Sequence, residues 1–152
     1  MKKLGNCCFI LTVLLLFNCS GTGMSKHVSK TDFGKLLVFS LDYVLNNNKL
    51  AVDYYNQPLQ IVKSKEFPVE GHLVVNGKEC VLLPESTKVM DILQKMDIFK
   101  PVPLVEIHEF KSINNTIMLR LIFRATGNVF NLNITQDEDG KYAVSKMESF
   151  EV

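Results

Sequence analysis

The C-terminal third of the chain carries its most regular hydrophobic pattern. Ile117, Leu119, Leu121 and Phe123 recur at every second position, as do Phe130, Leu132 and Ile134. Val129, Asn131, Asn133 and Thr135 fill the alternate positions of that second run. Successive side chains of a strand point to opposite faces, so this alternation predicts strands with one face turned to a core. Four segments fit: "PLVEIHEFKS", "TIMLRLIFRA", "VFNLNITQ" and "KYAVSKMESF". Their connections are short and rich in turn formers: Asn114-Asn115, Thr126-Gly127-Asn128 and Asp137-Glu138-Asp139-Gly140. Short connections between consecutive strands predict an antiparallel four-strand meander.

Upstream the period changes. Phe33, Leu36, Leu37, Leu41, Val44 and Leu45 recur at three- and four-residue spacing, which predicts a helix over residues 31–46. Thr31 or Asp32 can cap its first N–H groups, and Asn46 to Asn48 stop it. "KLAVDYYN" predicts a second short helix, ended by Pro58, with Leu50, Tyr54 and Tyr55 facing inward. "LQIVKS" reads as a short strand. "VEGHLVVNGKECVLL" holds two apolar stretches around Asn76-Gly77, a two-residue hairpin signal. "PESTKVMDILQKMDIF" predicts a helix that starts near Ser86 or Thr87 and puts Val89, Ile92, Leu93 and Met96 on one face; Pro101 and Pro103 close it. The order predicts an α+β fold whose helices cover one face of a curved antiparallel sheet.

The N-terminus belongs to no such pattern. Lys2 and Lys3 precede an apolar run from Cys7 to Phe17, broken only by Thr12. A bilayer core of about 30 Å takes about 20 helical residues, so the run is too short to span comfortably. A positive front before a short apolar stretch is instead the pattern of an export signal. Phe17 and Asn18 occupy the place of the usual small-residue cleavage site, and Cys19 follows. With Leu16 three residues before Cys19, the stretch resembles a bacterial lipoprotein signal in its relaxed form. The resemblance covers residues 1–19 only. It implies cleavage before Cys19, acyl chains on Cys19 and, with Ser20 rather than aspartate next, an outer-membrane destination. An ordinary signal peptide with an incidental cysteine, or an uncleaved anchor, stays open. The expected organisation is a signal over 1–18, a flexible tether over 19–30 and one α+β domain over 31–152. Two or three acyl chains hold firmly where one gives only marginal binding.

Charge and cysteines narrow the classes. Cleavage removes Lys2 and Lys3 and no acid, so the formal charge passes from +1 to −1. Nucleic-acid binding wants a basic stripe, and none is present. Cys7 and Cys8 leave with the signal, and Cys80 is then the single thiol, so no internal disulfide can form. In "KECVLL" it reads as a small buried hydrophobe, although Lys78 shares its strand face.

The order of elements also resembles the cystatin-like superfamily, and within it the nuclear-transport-factor-two-like domains. The resemblance rests on "FGKLLVFSLDYVLNNNKLAVDYYNQP" and "FNLNITQDEDGKYAVSKM". It implies a cone: helices against a strongly bent sheet, with a pocket between. The extra hairpin at Asn76-Gly77 is a departure.

The chemistry is sparse. His27 lies in the tether, while His72 and His108 fall on different segments. No metal-ligand spacing, nucleophile elbow or phosphate loop is present, and no cofactor is expected. The densest polar group is on the meander. Glu106 and His108 alternate onto one strand face, and Arg120 and Arg124 onto the polar face of the next, with Met118 and Ile122 between. These residues offer a pocket for an acidic ligand, a general acid–base pair, or a solvated ladder of cross-strand ion pairs. Tyr54, Tyr55, Phe99 and Phe110 border the open end of the expected cone, as core lining or as a partner surface. Three functions follow as expectations. The first is a membrane-anchored, non-catalytic binding module for an envelope protein or for a small apolar or anionic ligand. The second is a small enzyme using His108 with Glu106 or His72. The third is an inhibitor or immunity-type lipoprotein that caps an enzyme.

Overall fold

In a computed structural model, residues 30–48, 50, 55–97 and 99–152 are described. The expected signal and the tether as far as Ser29, including Cys19 and His27, lie outside them, as do Tyr54 and most of the expected second helix. Helix α1 runs Lys30–Asn47. Strands β1 (Gln60–Val62), β2 (Val74–Val75), β3 (Lys78–Glu79) and β4 (Val81–Leu83) follow. Helix α2 spans Val89–Lys95. Strands β5 (Leu104–Ile113), β6 (Thr116–Phe123), β7 (Asn128–Gln136) and β8 (Tyr142–Glu151) complete the chain.

The meander forms as the alternation predicts, with β5 to β8 antiparallel in sequence order. The sheet as a whole is mixed rather than antiparallel. Its order is β4-β1-β5-β6-β7-β8, and β1 pairs in parallel with both β4 and β5. Strand β1 thus lies between two strands that come later in the chain. Strands β2 and β3 form a separate hairpin. Asn76 and Gly77 both take positive φ, 50° and 71°, which is the twist a two-residue hairpin turn requires.

The sheet buries its two faces differently. Inward stand Ile61, Val105, Ile107, Ile117, Leu119, Leu121, Phe123, Phe130, Leu132 and Ile134, packed with Leu36, Leu37, Leu41 and Val44 of α1 in one core. Rings fill the layer between helix and sheet. Phe33, Phe67 and Phe110 meet edge to face with centroids 4.7, 5.3 and 5.0 Å apart. Tyr55 and Phe130 flank Phe123 at 5.0 and 5.4 Å. Such pairs add about 0.5–1.5 kcal/mol each beyond the area they bury. In the outward register, Val62, Leu104, Ile122 and Val129 are buried outside that main core.

The expectation that the helices share one face is corrected. Of the two helices α1 and α2, α1 alone joins the core; the start of α2 stands over Glu106 and Arg124, on the opposite face. The β4–α2–β5 connection has to pass β1, and it does so there. Helix α2 is also shorter than expected. Its N-cap is Lys88 without a side-chain cap bond, because residues 84–87 form a turn closed by Thr87 N–H to Pro84 O. Val89, Ile92, Leu93 and Met96 are half-buried, as their spacing predicts, while Met90 is exposed. No helix among the described residues is long and apolar enough to cross a membrane.

Candidate functional site on the outer face of the meander

The register of four strands fixes the outward polar group. One row reads Glu109, Arg120, Asn131 and Glu148 across β5 to β8; the next reads Lys111, Met118, Asn133 and Lys146. A third reads Glu106, Ile122, Val129 and Phe150. Neighbours within a row are close enough to bond.

Strict alternation fails at one point. Ile107 pairs with Leu121 and Glu109 with Arg120, so His108 is an extra residue, and two positions of β5 oppose the single position of Arg120. A bulge of this kind bends its strand and re-aims side chains. It brings Glu109 opposite Arg120, a place that alternation alone would have denied it.

The four expected site residues therefore fall into two groups. Arg124 donates from Nε to Glu106 Oε2 at 2.6 Å, and its Nη2 lies 2.6 Å from the same oxygen. His108 Nδ1 stands 4.0 Å from the other oxygen of Glu106, with half of its side chain exposed. Arg120 belongs elsewhere. It donates from Nε to Asn131 Oδ1 at 2.8 Å, and its Nη1 is 3.4 Å from Glu109 Oε2. Lys111 donates to the other Glu109 oxygen at 2.5 Å. That hydrogen bond, with the charges of Lys111 and Arg120, holds the Glu109 carboxyl below the usual glutamate range. Glu148 and Lys146 pair along β8 at 2.6 Å.

Chemically this is a ladder of mutually satisfied charges. An anionic ligand would have to displace Glu106 from Arg124 or Glu109 from Arg120. An acid–base pair would want His108 within hydrogen-bond reach of Glu106, and 4.0 Å is beyond it. Two shallow depressions open on this face. One, of about 470 Å³, lies between Lys88 to Asp91 and the Glu106–Arg124 pair. The other, of about 180 Å³, lies over Met118, Arg120, Asn131 and Asn133.

The remaining candidates sit apart. His72 Nδ1 contacts Glu79 Oε1 at 2.5 Å beside the β2–β3 hairpin, with both side chains exposed. Cys80 is buried, and burial pushes its thiol pKa up, away from nucleophilic thiolate chemistry. Tyr55 is buried, shares a 2.8 Å hydrogen bond with Thr126 Oγ1, and has its phenol pushed up to about 12 by desolvation. Of the bordering aromatics, Tyr55 and Phe110 line the core and Phe99 stands 86% exposed. Among the described residues no three His, Cys, Asp or Glu side chains gather as a metal site. Glu109 and Asn131 are partners that sequence reasoning missed. Asn131 was legible as the polar alternate of its strand; Glu109 was hidden by the bulge.

Compared with protein-family models, curated protein sequences and solved structures, the chain has no significant match.

Proposed function

We propose that the protein is an envelope lipoprotein, anchored through acyl chains on Cys19 at the outer membrane, whose domain is a non-catalytic docking module for a protein partner. The observation that carries this reading is the contrast between a filled interior and a broad outer face. The rings of Phe33, Phe67 and Phe110 occupy the layer between helix and sheet, where a cone of the cystatin-like kind would hold a small ligand. The outer face instead offers Arg120, Arg124, Asn131 and Asn133, with Met118 and Phe150 41% and 45% exposed among them. Arginine, methionine and aromatic residues are the types enriched in protein–protein interfaces. One long helix against a sheet bulged at two strands supports the cystatin-like cone as the architecture. If the partner is itself an enzyme, the module acts as an inhibitor or immunity-type cap.

The test is cross-linking in cells that make the full-length chain, followed by capture and identification of what comes with it. One abundant partner is expected with the wild type and with His108→Ala, and its loss is expected with Met118→Glu combined with Arg120→Glu. Absence of any specific partner from the wild type would sink the reading. The second reading, a small enzyme, requires His108 to close the 4.0 Å gap to Glu106. On that reading His108→Ala abolishes the function of a chain that still folds.

A further inference from the structure

Strand β8 has β7 on one side and is the last strand of the sheet. It is long, Tyr142–Glu151, and most of its residues are exposed. The opposite edge, β4, has only three residues, Val81–Leu83. A long edge strand presents backbone N–H and C=O groups as a template for another strand, and proteins guard such edges with bulges and charges. Strand β8 carries both guards. Lys146 pairs with Asn133 and Val144 with Ile134, so Ser145 is an extra residue. The charges, Lys146 and Glu148, lie on the outer face on either side of Met147, whose register position, opposite Leu132, is inward.

This arrangement is complementary to itself. We propose that β8 pairs antiparallel with β8 of a second copy, with a two-fold axis at Met147. Lys146 then lies opposite Glu148 of the second copy, and Glu148 opposite its Lys146, so both contacts occur twice. Cross-strand opposite charges stabilise antiparallel pairs, and like charges there destabilise them. The row that crosses one chain as Glu109, Arg120, Asn131 and Glu148 continues into Lys146, Asn133 and Met118 of the other, so the acid at its edge meets a base. Ser145 and Ser149 flank the paired stretch. The bulge at Ser145 breaks the register there and limits the pairing to a short central segment. Once the two β8 strands have met, each sheet's remaining edge is the short β4, so the assembly closes as a dimer instead of growing. Phe150 and Val152, 45% and 80% exposed in one chain, come to lie beside the bulged segment of the other.

The test uses full-length chains carrying two different tags, made together in one cell, extracted in mild detergent and captured through one tag. Wild type should bring down wild type. Lys146→Glu leaves two acids facing two acids, and Glu148→Lys leaves two bases facing two bases, so each variant should lose self-capture by about tenfold or more. Lys146→Glu made together with Glu148→Lys restores opposite charges and should recover the wild-type level. That recovery also shows that both variants fold. Absence of wild-type self-capture, indifference to the single reversals, or failure of the mixed pair to recover would each overturn the proposal.

Discussion

The two faces of the one sheet are held by different forces. Inward, aliphatic and aromatic side chains from α1, β1 and the meander interlock in a continuous core. Outward, the same strands carry charges and amides that bond along rows, over a small apolar group of Val62, Leu104, Ile122 and Val129. Burial of apolar area is additive and weakly directional, while exposed ion pairs contribute little each and act through geometry. Stability should therefore reside inward and recognition outward.

The sharpest break of that division is Phe67→Ala. Phe67 is fully buried between Phe33 and Phe110, and its truncation should cost about 3–5 kcal/mol in urea unfolding. Phe150→Ala, on the outer face, should cost less than about 1 kcal/mol. Equal losses would refute the contrast. Next comes alkaline pH. Tyr55 has its folded-state pKa raised from 10.0 to about 12, so the unfolded chain gives up this proton first. Below pH 10 both states keep this proton; as pH rises through 10 towards 12 the unfolded chain ionises while burial keeps the folded phenol protonated, so stability falls over that range. Tyr55→Phe should abolish that slope at the cost of about 1 kcal/mol for the Thr126 hydrogen bond. Unfolding curves at pH 9 to 12 decide it.

Gly127→Ala comes third. Gly127 has a φ of +70°, and a Cβ there would sit 2.7 Å from the carbonyl oxygen of Val152, whose N–H bonds to Gly127 O. Strain and displacement together should cost about 1–2 kcal/mol and loosen the end of β8, seen as faster amide exchange at Val152. The smallest effect belongs to the outer ladder. A double-mutant cycle of Glu106→Gln with Arg124→Gln should give a coupling of about 0.5–1 kcal/mol, reduced by added salt. A coupling several times larger would mean that the outer face also holds the fold together.

Much of this division was legible beforehand. Alternation in β6 and β7 sorted every residue to its face, because a strand with one buried side has a fixed period. Asn76-Gly77 announced its hairpin through turn chemistry. Three features were not legible. Strands as short as Gln60–Val62 and Val81–Leu83 carry no period and no direction, so parallel pairing around β1 left no trace in the pattern. A bulge adds one residue without changing composition, so the partnership of Glu109 with Arg120 could not be read along the chain. The side of the sheet taken by α2 depends on the path from β4 over β1 to β5, which is a property of topology. The buried face of Ile122 did leave a sign, an aliphatic residue between two arginines on the nominally polar side.

The insertion of β1 between β4 and β5 has a consequence for the order of folding. Hairpins of the meander join neighbours along the chain and close short loops. The β1 pairings join Gln60 to Val81 and to Leu104, across long loops whose closure entropy must be met before any contact rewards it. The meander is thus the natural nucleus, and β1 locks onto its β5 edge, with β4 added beyond β1. Ile61→Val should then accelerate unfolding and leave the folding rate nearly unchanged, whereas Leu119→Ala, at the centre of the meander, should slow folding itself.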